Sequence, residues 1–365
     1  MDGIRCVKEF ITDSSGFFSF GGGASPIGLN IASSNIKIAE LKKSGKQWKL
    51  VKFSMAPLPE EAVVNREIIN PIVVSDTIKN ISNSIKLSSK NTCVGLGGAA
   101  LIIKRMTVEV PNAKDIQDAV FWEAEQYLPF DASEVSMDYH TVSRSKEGKT
   151  DVIFVAAKLS IVDSYSQVIE GGGLKAKVLD SEFFALQNAF EVNYPSIPGQ
   201  AVALVDIGAT SIKILVIQDG IPIYTKDAAI GGRTLTTEIQ KQLNLSYADA
   251  EALKVGSAPG NLPQEVSELM VSVGDTFAVE IKRALDFYNA SSSGAPIAFV
   301  LVTGGGSKIP DITRIIEEKC GIPTQQFNPF NQVGYDEKLF TPDYIQSISP
   351  FVAVPMGLAL RGGEA

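Results

Sequence analysis

Two stretches of the chain alternate apolar and polar positions in three successive runs, which is the pattern of a β-meander. The first covers residues 27–56 and is interrupted by turns at Ser33–Ser34 and at the sequence Lys-Ser-Gly-Lys, 43–46. The second covers residues 201–230, with a turn at Gly220–Pro222. Each meander is followed by apolar residues at helical spacing and then by a buried strand. The sequence therefore predicts two α/β domains of similar architecture that face a cleft.

The region between the two meanders has a different pattern and predicts a small α+β subdomain inserted at residues 107–180. Ile116, Val120 and Ala124 recur at helical spacing before Pro129, and two alternating strands follow. The complete prediction is a flexible leader, a first domain in two parts, the inserted subdomain, a connecting helix, a second domain with a helical subdomain, and a C-terminal helix. The leader covers residues 1–25, the first part of the first domain 26–106, the insert 107–180 and the connecting helix of the first domain 181–200. The second domain covers 201–350, with its helical subdomain at about 231–295, and the C-terminal helix covers 351–365.

The first turn of each meander carries nearly the same string, "GLNIASSNIKIA" at 28–39 and "LVDIGATSIKIL" at 204–215. A tight turn with small hydroxyl residues presents N–H and O–H donors, which suit phosphate oxygens. An Asp at the strand end can hold Mg²⁺ directly or through water, and here that residue is Asp206. An ordinary Gly-containing β-turn is the competing interpretation. The predicted phosphate contacts are Asn30, Ala32, Ser33, Ser34, Asn35 and Lys37 in the first copy, and Asp206, Gly208, Ala209, Thr210, Ser211 and Lys213 in the second.

A third element, "VLVTGGGSKIPDI" at 300–312, predicts a strand, a glycine run and the start of a helix. Bare backbone allows a purine or ribose to lie close to the chain. A helix that begins at Ser307–Ile309 would add the positive end of its dipole. The predicted adenosine contacts are Gly304, Gly305, Gly306 and Ser307.

Composition excludes several other functions. The net charge is −8 and no Lys/Arg cluster is present, which argues against nucleic-acid binding. His140 is the only histidine, which argues against a histidine-based triad or a multi-histidine metal site and favours a structural or solvent-exposed residue. The three cysteines have no metal-ligand spacing, which favours a reducing, cytoplasmic setting. No apolar run is long enough to cross a bilayer.

Two hairpins followed by the strand, glycine run and helix resemble the actin-like ATPase superfamily, which includes actin, chaperone ATPases, sugar kinases and FtsA. Within it the chain resembles the PilM family of type IV pilus assembly proteins. The strings that carry this second resemblance are "AVFWEAEQYLPF" at 119–130, "DSEFFALQNAF" at 180–190, "IKRALDFY" at 281–288 and "NPF" at 328–330. The resemblance implies duplicated actin-like, ribonuclease H-like domains around a nucleotide cleft, with an FtsA-like (SHS2) insert. It also implies ATP or ADP with Mg²⁺ as cofactor.

The same resemblance implies roles for further residues. Glu182 in a connecting segment would position a water, although a structural cap explains it equally well. Glu280 and Arg283 would contact the base, although a solvated helix face is the alternative. PilM-like proteins bind the cytoplasmic N-terminal peptide of the inner-membrane protein PilN, and the residues predicted to do so here are Glu125, Tyr127, Leu128 and Phe130. Other implied partners are pilus inner-membrane components and assembly ATPases, with indirect membrane contact; self-association is left open.

The first hairpin departs from the superfamily pattern because Asn30 and Ala32 stand where Asp and Gly are usual. Asn lacks the charge that attracts Mg²⁺, and Ala tolerates a positive φ less well than Gly. These departures predict retained nucleotide binding with weak or no hydrolysis. We therefore favour a cytoplasmic ATP-binding assembly protein, peripheral to the inner membrane. The alternatives are an active Mg-dependent ATPase, a small-molecule kinase or an FtsA-like filament-forming protein.

Overall fold

The computed structural model of the protein describes residues 27–45, 47–98, 101–257, 262–291 and 294–361. The predicted leader, 1–25, lies outside these residues. The chain forms two compact units. The first contains Met1–Tyr194, Pro329–Gln346 and Val354–Ala365, and the second contains Pro195–Asn328 and Ser347–Ala353. None of the helices in the described residues is both long enough and apolar enough to cross a membrane.

The first unit contains the first meander and the strands and helices that follow it. Its elements up to residue 193 are β1 (Ile27–Ile31), β2 (Asn35–Ser44), β3 (Gln47–Pro57), β4 (Val63–Val64), β5 (Glu67–Ile68), α1 (Pro71–Ile85), β6 (Asn91–Leu96), β7 (Leu101–Glu109), α2 (Ile116–Glu125), β8 (Val135–Arg144), β9 (Lys149–Lys158), α3 (Leu159–Gly171), β10 (Lys175–Ser181) and α4 (Glu182–Asn193). The second unit contains β11 (Ala201–Ile207), β12 (Ile212–Gln218), β13 (Ile221–Ala228), α5 (Gly232–Leu243), α6 (Tyr247–Lys254), α7 (Gln264–Ser291), β14 (Ile297–Thr303), α8 (Ile312–Cys320) and β15 (Thr324–Gln326). Then follow β16 (Gly334–Tyr335) and α9 (Pro342–Leu360).

The main sheet of the first unit is built around β1. Its strand order is β10-β6-β1-β2-β3-β16, with β1 antiparallel to β2 and parallel to β6. All five residues of β1 are buried, as expected for a strand covered on both faces. Apolar side chains of α1 and α3, such as Ile78 and Tyr165, share one core with β1.

The second unit repeats this arrangement. Its sheet has the order β13-β12-β11-β14-β15, with β11 antiparallel to β12 and parallel to β14. The apolar stripe of α7, including Phe277, Ile281 and Tyr288, packs in one core with the buried strands. The order β3-β2-β1-β6-β10 matches it strand for strand, so the predicted duplication of architecture is confirmed.

The inserted region is smaller than predicted. A separate antiparallel sheet, β7-β9-β8, packs with α2 around its own core, so this insert covers about residues 101–158. The prediction of 107–180 also included α3 and β10. Those two elements belong to the main core of the first unit, because β10 pairs with β6 and Tyr165 packs beside Ile78.

Two further boundaries differ from the sequence prediction. Residues 329–346, predicted within the second domain, group with the first unit because β16 pairs with β3 and Asn193 accepts hydrogen bonds from the Gln332 and Val333 N–H groups. Helix α9 begins at Pro342 rather than near residue 351, with Thr341 as its cap. Pro350 and Pro355 lie inside this helix, although proline in a helix interior removes a backbone hydrogen bond.

Candidate functional site

The second hairpin places an acidic and a basic residue opposite each other at the end of the sheet. Asp206 on β11 is in register with Lys213 on β12, and Gly208 N–H closes the turn on the Ser211 carbonyl at 2.9 Å. Lys213 Nζ lies 3.5 Å from Asp206 Oδ2 and its side chain is almost fully buried. Lys213 is thus a partner of Asp206 and does not face solvent, as strand lysines commonly do.

The glycine run packs directly against this hairpin. Thr303, the last residue of β14, is in register with Asp206, and Gly304 follows it with a φ of 85°. A Cβ at Gly304 would lie 2.4 Å from Asp206 Oδ1, and one at Gly306 would lie 2.1 Å from Ile207 Cγ2. The absence of side chains here lets the chain pass close to the end of β11.

The run does not lead straight into a helix, which corrects the prediction of a helix start at Ser307–Ile309. Gly305–Lys308 form one short 3-10 turn, and α8 begins only at Ile312. Pro310 disfavours a helical conformation at the residue before it, and Ile309 accordingly has a ψ of 131°. The positive dipole end of α8 is therefore displaced from the glycine run.

A pocket of about 330 Å³ lies beside the tip of the second hairpin. The start of α5 is fixed to that tip, because Gly232 N–H donates to the Gly208 carbonyl at 2.9 Å and Arg233 N–H donates to the Ala209 carbonyl at 2.7 Å. Arg233 Nε is buried and has no hydrogen-bond partner in the part of the chain described. The pocket is lined by Ala209, Thr210, Ala229, Ile230, Gly231, Arg233, Thr234, Thr237 and Glu238.

This pocket offers hydroxyl, backbone and guanidinium donors, which is the chemistry that an anion such as a phosphate needs. Sequence reasoning found Ala209 and Thr210 but missed Arg233. The signal was present in the string "GGRT" at 231–234, directly after the second meander.

The first hairpin has the same register but a different polar pair. Asn30 on β1 is opposite Lys37 on β2, and Lys37 Nζ donates to Asn30 Oδ1 at 3.4 Å. The turn is closed by Ala32 N–H on the Asn35 carbonyl, and Asn35 Nδ2 donates to Ser34 Oγ at 3.0 Å. Ala32 is not among the residues with positive φ, so Ala in place of Gly causes no backbone strain here.

Glu182, the candidate for positioning water, is a buried member of an ion pair. Arg66 contacts both carboxylate oxygens, at 3.0 Å for Oε1 and 2.8 Å for Oε2. Asn30 Nδ2 also donates to Oε1, at 2.6 Å. Asn30 therefore joins the predicted water-positioning residue to the first hairpin. Arg66 is a residue that sequence reasoning missed.

The predicted base contacts, Glu280 and Arg283, pair with each other at 3.1 Å on α7. The Arg283 side chain is 76% exposed, which fits the alternative interpretation of a solvated helix face. Their proposed role toward a base stays a prediction.

The predicted partner segment is divided between core and surface. Leu128 and Phe130 pack against the core of the inserted sheet. Glu125 is exposed, and Tyr127 is 44% exposed with its hydroxyl donating to Glu123. Trp122 on the same helix is 68% exposed and was not singled out from the sequence. Exposed aromatic residues of this kind are common anchors in protein interfaces.

The described residues contain no cluster of three His, Cys, Asp or Glu side chains that could hold a metal ion. Mg²⁺ in nucleotide sites is commonly held by one or two carboxylates together with the phosphates themselves. Asp206 supplies one such carboxylate, so it fits this way of holding Mg²⁺. Its present cationic partner is Lys213.

Comparison with known proteins identifies several relatives. The family model described as "Type IV pilus assembly protein PilM" matches residues 28–363. The chain is 21% identical to cell division protein FtsA of Enterococcus hirae over 367 residues, covering 86% of this chain and 80% of that protein.

Solved structures give the same picture. The PilM–PilN type IV pilus biogenesis complex matches with a TM-score of 0.84 and 26% identity, covering 94% of this chain and 99% of that one. The ethanolamine utilization protein EutJ from Carboxydothermus hydrogenoformans matches with a TM-score of 0.57 and 15% identity, covering 92% of this chain and 89% of that one. A diol dehydratase-reactivating factor in nucleotide-free form matches with a TM-score of 0.51 and 9% identity, covering 92% of this chain and 98% of that one. These proteins share the actin-like ATPase fold, whose members bind nucleotides, so the predicted fold class is confirmed.

Proposed function

Because the chain belongs to the PilM family of type IV pilus assembly proteins, we propose that it binds the cytoplasmic N-terminal peptide of PilN and connects it to the cytoplasmic pilus apparatus. The observation that carries this proposal is the likeness to the PilM–PilN complex over nearly the full length of both chains. Other pilus inner-membrane components and assembly ATPases are the further partners that we propose. Contact with the inner membrane would then be indirect, through PilN.

We place the peptide on the surface formed by the end of α2 and the segment after it. Trp122 and Tyr127 supply exposed aromatic anchors, while Glu125 supplies a negative charge beside them. An extended peptide gains affinity from main-chain hydrogen bonds and from pockets for alternate side chains. Titration of a synthetic peptide with the N-terminal sequence of PilN tests this assignment.

We propose ATP or ADP with Mg²⁺ as the cofactor. In the second unit, Gly208–Ser211 and Arg233 would hold phosphate oxygens, and Asp206 would hold Mg²⁺ directly or through water. Gly304–Ser307 would lie against the adenosine. The buried Arg233 Nε, which has no hydrogen-bond partner among the described residues, supports an anion in this pocket. When bound, Mg²⁺ would offset phosphate charge. The first hairpin, with Ser33, Ser34 and Lys37, is proposed as a further phosphate-binding element.

Adding Mg-ATP to nucleotide-stripped protein is expected to raise its thermal stability, because the nucleotide binds only the folded state. At a ligand concentration 100 times Kd, this stabilisation is about 2.7 kcal/mol. The part that depends on Mg²⁺ is expected to disappear in Asp206→Asn. Thermal unfolding with ATP plus EDTA and with Mg-ATP separates the two parts.

The matched control is Asp275→Asn, which removes an exposed carboxylate from α7 in the same unit. It should respond to Mg-ATP like the wild type. Stripped wild-type protein whose unfolding temperature is unchanged by saturating Mg-ATP would refute the cofactor assignment.

A further inference from the structure

Three charged residues lie side by side across neighbouring strands in the sheet of the second unit. Lys213 on β12 is in register with Asp206 on β11 on one side and with Asp227 on β13 on the other. Residues directly opposite each other on antiparallel strands point to the same face of the sheet. The side chains therefore form a row, with the lysine between two carboxylates.

The ammonium group of Lys213 lies beside one end of this row. Its Nζ is 3.5 Å from Asp206 Oδ2, and the lysine is only 3% exposed. At the other end, Asp227 Oδ2 is also buried, and it accepts no hydrogen bond within the part of the chain that the structure describes. Neighbouring strands are about 4.7–4.9 Å apart, so the flexible four-carbon stem of a lysine on the middle strand can reach either neighbour.

We propose that Asp227 is a positioning residue, which takes up the Lys213 ammonium group when a divalent cation binds Asp206. The inference rests on the proposed binding of Mg²⁺ at Asp206. A metal ion at that carboxylate would repel the ammonium group beside it, because both are positively charged. A buried ammonium group that loses its carboxylate is strongly destabilising, so it needs another anionic partner. Asp227 supplies that partner on the adjacent strand, and a change of side-chain rotamer is sufficient to reach it.

A phosphate oxygen of the bound nucleotide is the other anion that could accept the lysine. The phosphate contacts proposed in this unit, Gly208–Ser211, lie in the turn of the hairpin. Lys213 lies within the sheet and is almost inaccessible to solvent, which favours Asp227 as its second partner. The two alternatives predict different effects of removing the lysine. A lysine that binds phosphate strengthens the binding of metal-free ATP, whereas a lysine that only exchanges carboxylates does not.

The test measures the affinity of the full chain for ATP with EDTA and for Mg-ATP, by displacement of a fluorescent ATP analogue. The ratio of the two dissociation constants gives the preference for the metal complex. Asp227→Asn is expected to lower this preference about tenfold, because Lys213 then stays on Asp206 and competes with the metal. Lys213→Met should raise the preference, since the competing cation is gone. Adding Asp227→Asn to Lys213→Met should change it by less than about twofold, because Asp227 acts through the lysine.

The matched control is Asp275→Asn, which removes an exposed carboxylate from α7 in the same unit. Its preference for Mg-ATP should equal that of the wild type. The same loss from Asp227→Asn with and without Lys213 would show a general effect of charge and would overturn the exchange. If Asp227→Asn does not fold, Lys213→Met alone decides, and an unchanged preference in that variant overturns the exchange.

The remaining outcomes separate this inference from the proposed cofactor. A wild-type preference for Mg-ATP that persists in Asp227→Asn overturns the exchange and leaves the cofactor in place. Weaker binding of metal-free ATP in Lys213→Met assigns the lysine to a phosphate and also overturns the exchange alone. Wild-type protein that binds neither form of ATP overturns the cofactor together with the exchange.

Discussion

Replacing Gly304 with alanine is expected to lower the free energy of unfolding by about 3 kcal/mol and to abolish stabilisation by Mg-ATP. Gly304 has a φ of 85° and a ψ of 167°, a backbone conformation that is essentially restricted to glycine and costs another residue about 1–3 kcal/mol. The added Cβ would also lie 2.4 Å from Asp206 Oδ1 and 2.5 Å from the Ile207 carbonyl oxygen, and overpacking of this kind typically costs about 1–3 kcal/mol. Because the Ile207 atoms in collision belong to the backbone, a side-chain rotation cannot relieve the overlap and the end of β11 must move. Urea denaturation and thermal shift with Mg-ATP measure the two effects.

The comparison variant is Gly321→Ala, at a glycine whose positive φ is not accompanied by a collision. Gly321 has a φ of 69°, and a Cβ there would meet no atom within 4 Å. It should lose only about 1–2 kcal/mol and should still be stabilised by Mg-ATP. Equal losses at the two positions would show that the glycine run is not packed against Asp206.

Replacing Asp180 with alanine is expected to lower the free energy of unfolding by about 3–5 kcal/mol. Asp180, at the end of β10, lies 3.1 Å from Arg361 Nε, and both side chains are almost fully buried. Alanine would leave the Arg361 guanidinium buried without its carboxylate, which is the costly case for an ion pair. The double variant Asp180→Ala/Arg361→Met should recover most of the loss, because it removes both charges. Urea denaturation of the single and double variants measures these values.

The exposed pair Arg314–Glu318 is the matched comparison for this prediction. Its side chains are about 60% exposed, so Glu318→Ala should cost at most about 0.5 kcal/mol.

Burial raises the pKa of Asp180 from 3.8, and the Arg361 guanidinium opposes that rise. In Arg361→Met the pKa therefore rises further, and stability present below pH 3.8 is lost as pH rises through the folded-state pKa. A loss in Arg361→Met that does not depend on pH would contradict this assignment.

The two meanders, their duplication and the position of both hairpins could be predicted from the sequence. Alternation of apolar residues and the turn residues between the strands are local properties, and a repeated local pattern predicts a repeated topology. The family was equally accessible, because its characteristic strings are continuous in the sequence, and the match over residues 28–363 confirms it. The site residues stay predictions.

Contacts between distant residues could not be predicted in the same way. Arg66 and Glu182 are 116 residues apart, and nothing in the turn sequence indicates which buried group the arginine reaches. Two further differences come from proline. Pro310 delays the start of α8, whereas Pro350 lies within α9, which begins at Pro342 and not near residue 351.

The boundaries of the insert could not be predicted from the sequence for a third reason. α3 and β10 follow the inserted strands directly in the chain, so periodicity alone assigns them to the same subdomain. The structure assigns them by packing instead, because β10 adds to the main sheet beside β6. Which sheet a strand joins is a property of the whole core and is not encoded in the strand itself.

The central claim is that this chain is a PilN-binding assembly protein of the type IV pilus, and binding of the PilN tail tests it most directly. A fluorescent peptide with the N-terminal sequence of PilN from the same organism is titrated with the full chain, and its anisotropy is measured. We predict saturable binding with one peptide per chain, weakened in Trp122→Ala and Tyr127→Ala. Phe287→Ala, which removes an exposed aromatic from α7, should leave it unchanged. Folded wild-type protein that binds the PilN peptide no better than a scrambled peptide would contradict the account.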